Sequence, residues 1–331
     1  MPGFKDIVGQ KQIKEHLQSA IRSGKVGHAY IISGERFSGK EFVARAFAQT
    51  LQCEEGGTEP CGKCHSCLQA ESRNHPDILY LSHESHPNSI GVEDVRDQII
   101  SDAIIRPYSS PYKVYIVNEA EKMTTQAQNA LLKTLEEPPS YVVILLLTTN
   151  AGTFLQTVRS RCEMLTMKPV PDAEIREYLM EHCQVPDYHA KLCTAFAQGN
   201  FGKALQMVAS DEFQTIQKVT TALLRQQHDM PMSEKIALIQ SMAQYKMDPE
   251  EFLDIIMVWY RDVLMYKATG DADSLVNYGD IAIIRKAAGR CSYEGLDEVL
   301  EAVNKARARL KAYVNFELTM ELLLATMQEK G

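Results

Sequence analysis

The sequence predicts a mostly parallel α/β domain followed by two all-helical domains. Three observations carry that expectation: a glycine loop set between a strand-like and a helix-like segment, strands alternating with helices up to residue 169, and purely helical spacing beyond it. Alternation of this kind implies a sheet covered on both faces, because each crossover between parallel strands lays a helix over the sheet.

Along the chain, Ile13, Leu17, Ala20 and Ile21 form one stripe of an amphipathic helix over 10–23. A buried-strand run at 29–32 leads into the loop GERFSGKE at 34–41, and helical spacing resumes from Lys40 to about Gln52. Further strand-like runs lie at 78–81, 113–117 and 142–147, with helix-like stretches at 92–105 and 126–137 between them. Pro138-Pro139 stops the last of these, since proline lacks the amide donor and clashes with the preceding turn. Asp172 reads as an N-cap, and beyond it the spacing is helical, as in Leu296, Val299, Leu300 and Val303. The expected domains are 1–169, with a metal module at 53–67 inserted, then a small helical segment over 170–208 and a larger helical domain over 209–331.

The chain has 331 residues, room for two or three domains that each bury a core. Its net charge of −8 argues against a free-standing nucleic-acid binder, which needs a basic face to displace counterions. The start, MPGFKDIVGQ, has no basic-then-apolar signal pattern, and the longest apolar run, 141–147, is far below the ~20 residues of a bilayer span, so a cytoplasmic protein is expected.

Seven of the eight letters in GERFSGKE satisfy the phosphate-binding pattern G-x-x-x-x-G-K-[S/T]. Gly34, Ser38, Gly39 and Lys40 supply the cradle, in which backbone N–H groups and a helix N-terminus face the phosphates while lysine neutralises charge. The eighth letter, Glu41, stands where a hydroxyl normally holds Mg²⁺. Two like charges ~4 Å apart repel by roughly 4 kcal/mol at an effective dielectric near 20, so an unscreened Glu41 opposes polyphosphate, while a bridging Mg²⁺ would reverse the sign. A second metal ligand belongs at the end of a buried strand. The run VYIVNEAEKM at 114–123 has that shape, but its metal position is the uncharged Asn118, followed by Glu119. Fast phosphoryl transfer depends on the charge of the metal, and both of its protein ligands are missing.

Cys53, Cys61, Cys64 and Cys67 are clustered among turn-forming glycines, while Cys162, Cys183, Cys193 and Cys291 are scattered. In a reducing compartment clustered thiols point to a closed tetrahedral Zn²⁺ site, structural rather than catalytic; His65 is an alternative fourth ligand. Ser160-Arg161-Cys162 alone reads as a solvent-exposed arginine, and His28, His75, His83 and His86 read as surface or packing residues.

Together these stations resemble the bacterial replicative clamp loaders of the AAA+ superfamily. The resemblance runs through IVGQ at 7–10, HAYIISG at 28–34, the cysteine group, HPD at 75–77, NALLKTLEEPP at 129–139 and SRC at 160–162, and it thins after about residue 210. It implies an AAA+ domain, a helical lid and a helical collar within a five-subunit ring. The family includes ATP-hydrolysing gamma/tau members and non-hydrolysing delta-prime members of DNA polymerase III, a DNA-directed DNA polymerase (nucleotidyltransferase) holoenzyme. Glu41 and Asn118 depart from the gamma/tau pattern, as does GNFGKAL at 199–205, where Gly202-Lys203 replaces the lid arginine. With SRC retained, the departures fit the delta-prime type. For that type the resemblance implies that Arg161 acts as a finger in trans on a neighbour's ATP, with gamma/tau and delta as partners and a sliding clamp on primed DNA as the ring's target. Other readings are an active gamma/tau-like ATPase, or one in which Glu41 itself ligates Mg²⁺, and a zinc-stabilised interaction module outside replication.

Overall fold

A computed structural model describes residues 3–81, 87–226, 230–244, 249–312 and 314–330. His83 and His86 lie outside the described residues. The chain divides into two compact units, Met1–Ile175 with Asn200–Gly202, and Arg176–Gly199 with Lys203–Gly331.

The first unit holds α1 (Lys11–Ser23), β1 (Ala29–Ser33), α2 (Lys40–Gln52), α3 (His65–Glu71) and β2 (Ile78–Tyr80). It continues with α4 (Val92–Val95), α5 (Ser101–Ala103), β3 (Lys113–Val117), α6 (Thr125–Glu136), β4 (Val142–Thr148), α7 (Gln156–Arg159) and β5 (Glu163–Thr166). The five strands form one sheet in the order β2-β3-β4-β1-β5, and every pairing is parallel. Alternation along each strand sends Tyr30, Ile32, Val114, Ile116, Val143 and Leu145 into one core, where Leu17 of α1 and Val43 and Phe47 of α2 meet them. Ala29, Ile31, Tyr115, Val117, Ile144 and Leu146 face the other, covered by Ala127, Leu131 and Leu135 of α6. Both faces of the sheet are therefore buried, as the alternating pattern predicts.

Three local features differ from the sequence reading. The helix expected over 92–105 is broken by a π-wound turn, Arg96–Ile100, and ends at Ala103, so Ile104 and Ile105 are exposed. The edge strand β5 was not expected, because only Leu165 of its four residues is buried and an outer strand needs no apolar run. Asp172 is the first residue of its helix rather than its cap, a difference of one position.

The HPD sequence at 75–77 is a buried bracket. The Asp77 carboxylate accepts the backbone N–H groups of Tyr108 at 2.6 Å, Ser109 at 2.9 Å and Ser110 at 3.1 Å, which pins the loop leading into β3. His75 Nδ1 accepts the Asp77 N–H at 3.0 Å, so Nε2 carries the proton and meets Ser66 Oγ at 2.9 Å, joining the bracket to α3. Burial holds the imidazole below its ordinary value of 6.5, against the attraction of Asp77.

The rest of the chain is helical: α8 (Asp172–His182), α9 (Asp187–Ala197), α10 (Phe201–Ala209), α11 (Asp211–Gln226), α12 (Met232–Gln244), α13 (Pro249–Thr269), α14 (Ile281–Arg290), α15 (Tyr293–Lys311) and α16 (Phe316–Lys330). In the second unit α13 is the central element. It buries Phe252, Leu253, Ile256, Trp259, Tyr260 and Val263, and α11, α14 and α15 pack against it. Its Asp254 is buried and paired with Lys203 Nζ at 2.5 Å and an Arg307 Nη at 2.6 Å.

Replacing Asp77 by Ala strands three backbone donors and is expected to lower the unfolding free energy by about 3 kcal/mol or more in urea denaturation; a loss below about 1 kcal/mol would contradict the bracket. Because the His75 value is depressed in the folded state, its stabilisation is complete above 6.5 and is lost as pH falls through the lower folded value. His75→Asn is expected to flatten that part of the stability–pH curve.

Candidate functional site

The carboxyl ends of β1, β3 and β4 share one edge of the sheet. The ladder continues into the loop, with Gly34 N–H donating to Thr148 O at 3.0 Å and Met167 N–H to Ser33 O at 2.8 Å. Gly34 has no room for a side chain: a Cβ there would sit 2.7 Å from Met167 Cβ and 2.8 Å from Ser38 Oγ. Phe37 and Gly39 adopt left-handed φ of 64° and 88°, which turns the loop into the N-terminus of α2. Beside it opens a cavity of about 680 Å³ lined by Lys40, Glu41, Asn118, Glu119 and Glu121 among others.

Lys40 Nζ folds back on the loop, donating to Gly34 O at 2.7 Å and Glu35 O at 2.5 Å. Burial lowers its pKa, with the nearby Glu121 and Glu35 carboxylates opposing the shift. Ser38 Oγ is buried without a hydrogen-bond partner among the described residues.

Glu41 does not face the cavity as a lone charge, because its carboxylate pairs with the Arg73 guanidinium, which lies 5.4 Å from the centre of the Tyr80 ring. The repulsion expected from Glu41 alone is therefore offset by a cation that the sequence pattern did not identify. Opposite, Asn118 follows the last residue of β3. Glu119 has a left-handed φ of 49°, and its carboxylate meets Lys122 Nζ at 2.7 Å. Glu121 was also missed by sequence reasoning. It accepts from Thr149 Oγ1 at 2.7 Å; burial pushes its carboxyl up, but the hydrogen bonds from Thr149 and Thr148 and from the backbone carry it below the ordinary range.

The segment Asn200–Gly202 closes on the same loop. Asn200 Nδ2 donates to Arg36 O at 2.8 Å, and Gly202 N–H donates to Phe37 O at 3.1 Å. A Cβ on Gly202 would stand 2.2 Å from that oxygen, so only glycine allows this approach. Lys203, the next residue, is committed to Asp254.

The Cys53, Cys61, Cys64 and Cys67 sulfurs all lie within 4.8 Å of one another, with Cys61 and Cys67 at 4.0 Å. A tetrahedral ion with thiolate bonds of ~2.3 Å needs sulfur–sulfur edges of ~3.8 Å. Backbone N–H groups of Cys61, Cys64 and Cys67 point at the sulfurs of Cys53, Cys61 and Cys64, an arrangement that stabilises thiolates. Backbone hydrogen bonds, from Lys63 first and then Cys64, lower Cys61 to about 7, whereas burial raises Cys53 and pushes Cys67 up to about 12. The buried thiols resist ionising unless a cation compensates them, which suits a structural metal. His65 begins α3, and the cluster is made by the four cysteines.

Arg161 follows α7 at the surface. Its Nη1 donates to Thr157 O at 2.8 Å and Ser160 Oγ at 3.3 Å, and its Nη2 meets Glu136 Oε1 at 2.7 Å. Cys162 packs half-buried against the core that α6 covers, and burial pushes its thiol up to about 12.

The family described as "DNA polymerase III, delta subunit" matches residues 9–171, and "DNA polymerase III, delta subunit, C terminal" matches 222–329. The DNA polymerase III subunit delta-prime of Bacillus subtilis is 29% identical over 97% of this chain and 96% of its own length. The subunit tau of the same organism is 28% identical over 93% of this chain, which spans 58% of tau's length. Among solved structures, a gamma subunit-related protein of Thermotoga maritima shares the fold, with a TM-score of 0.51 and 22% identity over 96% of this chain and 99% of the other. Among the described residues, no helix is long and apolar enough to cross a membrane.

The purified chain is expected to carry about one equivalent of thiolate-bound metal by elemental analysis. Cys64→Ser should strip most of it and lower the thermal midpoint, and undiminished metal content in that variant would rule out the four-cysteine site.

Proposed function

The chain belongs to the DNA polymerase III delta-subunit family and is a clamp-loader subunit similar to delta-prime and tau/gamma, and from that premise we propose that it is a delta-prime type subunit with no nucleotide turnover of its own. The observation that carries this reading is the commitment of Glu41 to Arg73 beside the neutral Asn118. A metal arriving at the loop finds a carboxylate paired with a guanidinium where the pattern has a hydroxyl, and a neutral amide where it has an aspartate, so neither of the two protein ligands that phosphoryl transfer relies on is in place. Lys40 resting on the loop carbonyls and Gly202 against Phe37 O support the same reading.

In the proposed ring, gamma/tau and delta subunits are the neighbours, and the assembly opens a sliding clamp and sets it on primed DNA within the cytoplasmic polymerase holoenzyme. This chain acts as a stator. Its residues 1–169 form the AAA+ domain, 170–208 a lid and 209–331 a collar. Zn²⁺ held by Cys53, Cys61, Cys64 and Cys67 stabilises the module between α2 and α3; with no open coordination position it supplies folding energy and no catalysis. Arg161, half-buried and already oriented, serves as the trans arginine finger for a neighbour's ATP, where such a group is worth about 10³ to 10⁵ in rate.

Two assays test the reading. The isolated chain with ATP and Mg²⁺ is expected to show no turnover above background; brisk DNA-stimulated hydrolysis would instead establish an active ATPase. In the reconstituted complex, Arg161→Ala should abolish the share of turnover contributed by the adjoining site while leaving assembly intact, and unchanged turnover would remove the finger role. Failure of the chain to assemble with gamma/tau and delta would favour an interaction module outside replication.

A further inference from the structure

Resting on the reading that Arg161 serves a neighbour's nucleotide, we propose that Glu136, the last residue of α6, is the residue that positions it. The contacts of the guanidinium divide into two kinds. Thr157 O and Ser160 Oγ lie on the same short turn as Arg161 and move with it, so they orient the side chain only relative to its own backbone. Glu136 Oε1, at 2.7 Å from Nη2, is the long-range contact and ties the fork to the body of the domain.

The element that carries Glu136 is rigid. Leu131 and Leu135 of α6 are buried under the sheet, and Thr124 caps its start by accepting the Ala127 N–H. The buried Gln128 side chain donates to Met123 O at 3.1 Å and to Thr153 O at 3.2 Å, and it accepts the Leu155 N–H at 2.8 Å. That amide clamps α6 to the segment that starts α7, so the two halves of the arginine's cradle are held at fixed separation. Glu137 caps α6 and Pro138-Pro139 follow it, so the helix stops just past Glu136, whose carboxylate lies at the surface with a side-chain exposure of 49%.

Arginine is a flexible side chain whose freedom must be lost before it stabilises a transition state, and a group held in place beforehand avoids that loss at the moment of reaction. The guanidinium has more N–H donors than its three acceptors occupy, so it can meet a phosphate oxygen while Glu136 still holds it. In this arrangement Glu136 acts through Arg161.

The test uses the complete clamp-loader complex, with ATP turnover measured for wild type, Arg161→Ala, Glu136→Ala, Glu136→Gln and the Arg161→Ala/Glu136→Ala double variant. Glu136→Ala is expected to lower kcat at the adjoining site by roughly three- to tenfold with KM unchanged, the size of a lost orientation rather than a lost finger. Glu136→Gln, which keeps an acceptor without the charge, should fall between. The double variant should lose no more than Arg161→Ala alone, since a residue that works only through the arginine has nothing left to position. A purely structural role would persist in that background, so losses that multiply overturn the proposal. Undiminished or faster turnover in Glu136→Ala, with Arg161→Ala still slow, overturns it and leaves the finger reading intact. No effect of Arg161→Ala removes that reading and this inference together.

Discussion

The parallel pairing of β1 between β4 and β5 is the constraint on which the rest of the first unit depends. Ser33 pairs with Thr148 and Thr166, and the bonds from Gly34 N–H to Thr148 O and from Met167 N–H to Ser33 O carry the ladder past the end of the strand. The loop therefore leaves the sheet at a fixed height and heading, and Gly39 in a left-handed conformation turns it into α2. Parallel strands also bring their carboxyl ends to one side, which is why Asn118 after β3 and Thr149 after β4 line the same cavity as Lys40.

Electrostatics at that edge decides what a phosphate or a cation would meet at the loop. The Glu41 and Arg73 side chains are 39% and 54% exposed, and a pair this open contributes ~1 kcal/mol or less to stability. Its importance lies in what it occupies. A carboxylate already matched by a guanidinium has little field left to repel a phosphate, but it is also no longer a free ligand for a divalent ion. Reasoning from Glu41 alone leaves out the guanidinium that accompanies it. The same holds across the cavity, where Glu119 meets Lys122 and Glu121 is fixed by Thr149.

Most of the α/β fold was legible because its signals are local. Runs such as VVILLLT are buried end to end, and the change of period at Lys40 marks where strand gives way to loop and helix. The polar edge strand β5 and the π-wound break after Val95 were not legible, since one has almost no buried face and the other changes winding without changing composition. The cysteines were readable as a group from spacing. Arg73 was not readable as the partner of Glu41, because it reaches back from beyond α3 on a left-handed φ of 60°, through a module whose path no periodicity describes. Asn200 and Gly202 likewise meet the loop across a long stretch of chain, and only the close approach to Phe37 O gives the glycine its meaning.

The arginine and the phosphate loop are built from different parts, and that separation lets one persist when the other changes. Arg161 is set by α6, α7 and the Gln128 clamp; Lys40 and Glu41 are set by β1, α2 and the turn after α3. No hydrogen bond among the described residues joins Glu136 or Arg161 to the loop, so substituting the loop's metal ligands does not by itself disturb the pose of the arginine. Both rest on the sheet, whose central strands β1, β3 and β4 are buried on both faces and fix position rather than charge. A chain with this layout can lose the ability to hold Mg²⁺ and still present an oriented cation at its surface, because that cation is oriented by the packing of α6, the Gln128 clamp, two hydrogen bonds on its own turn and one ion pair, none of which a nucleotide supplies.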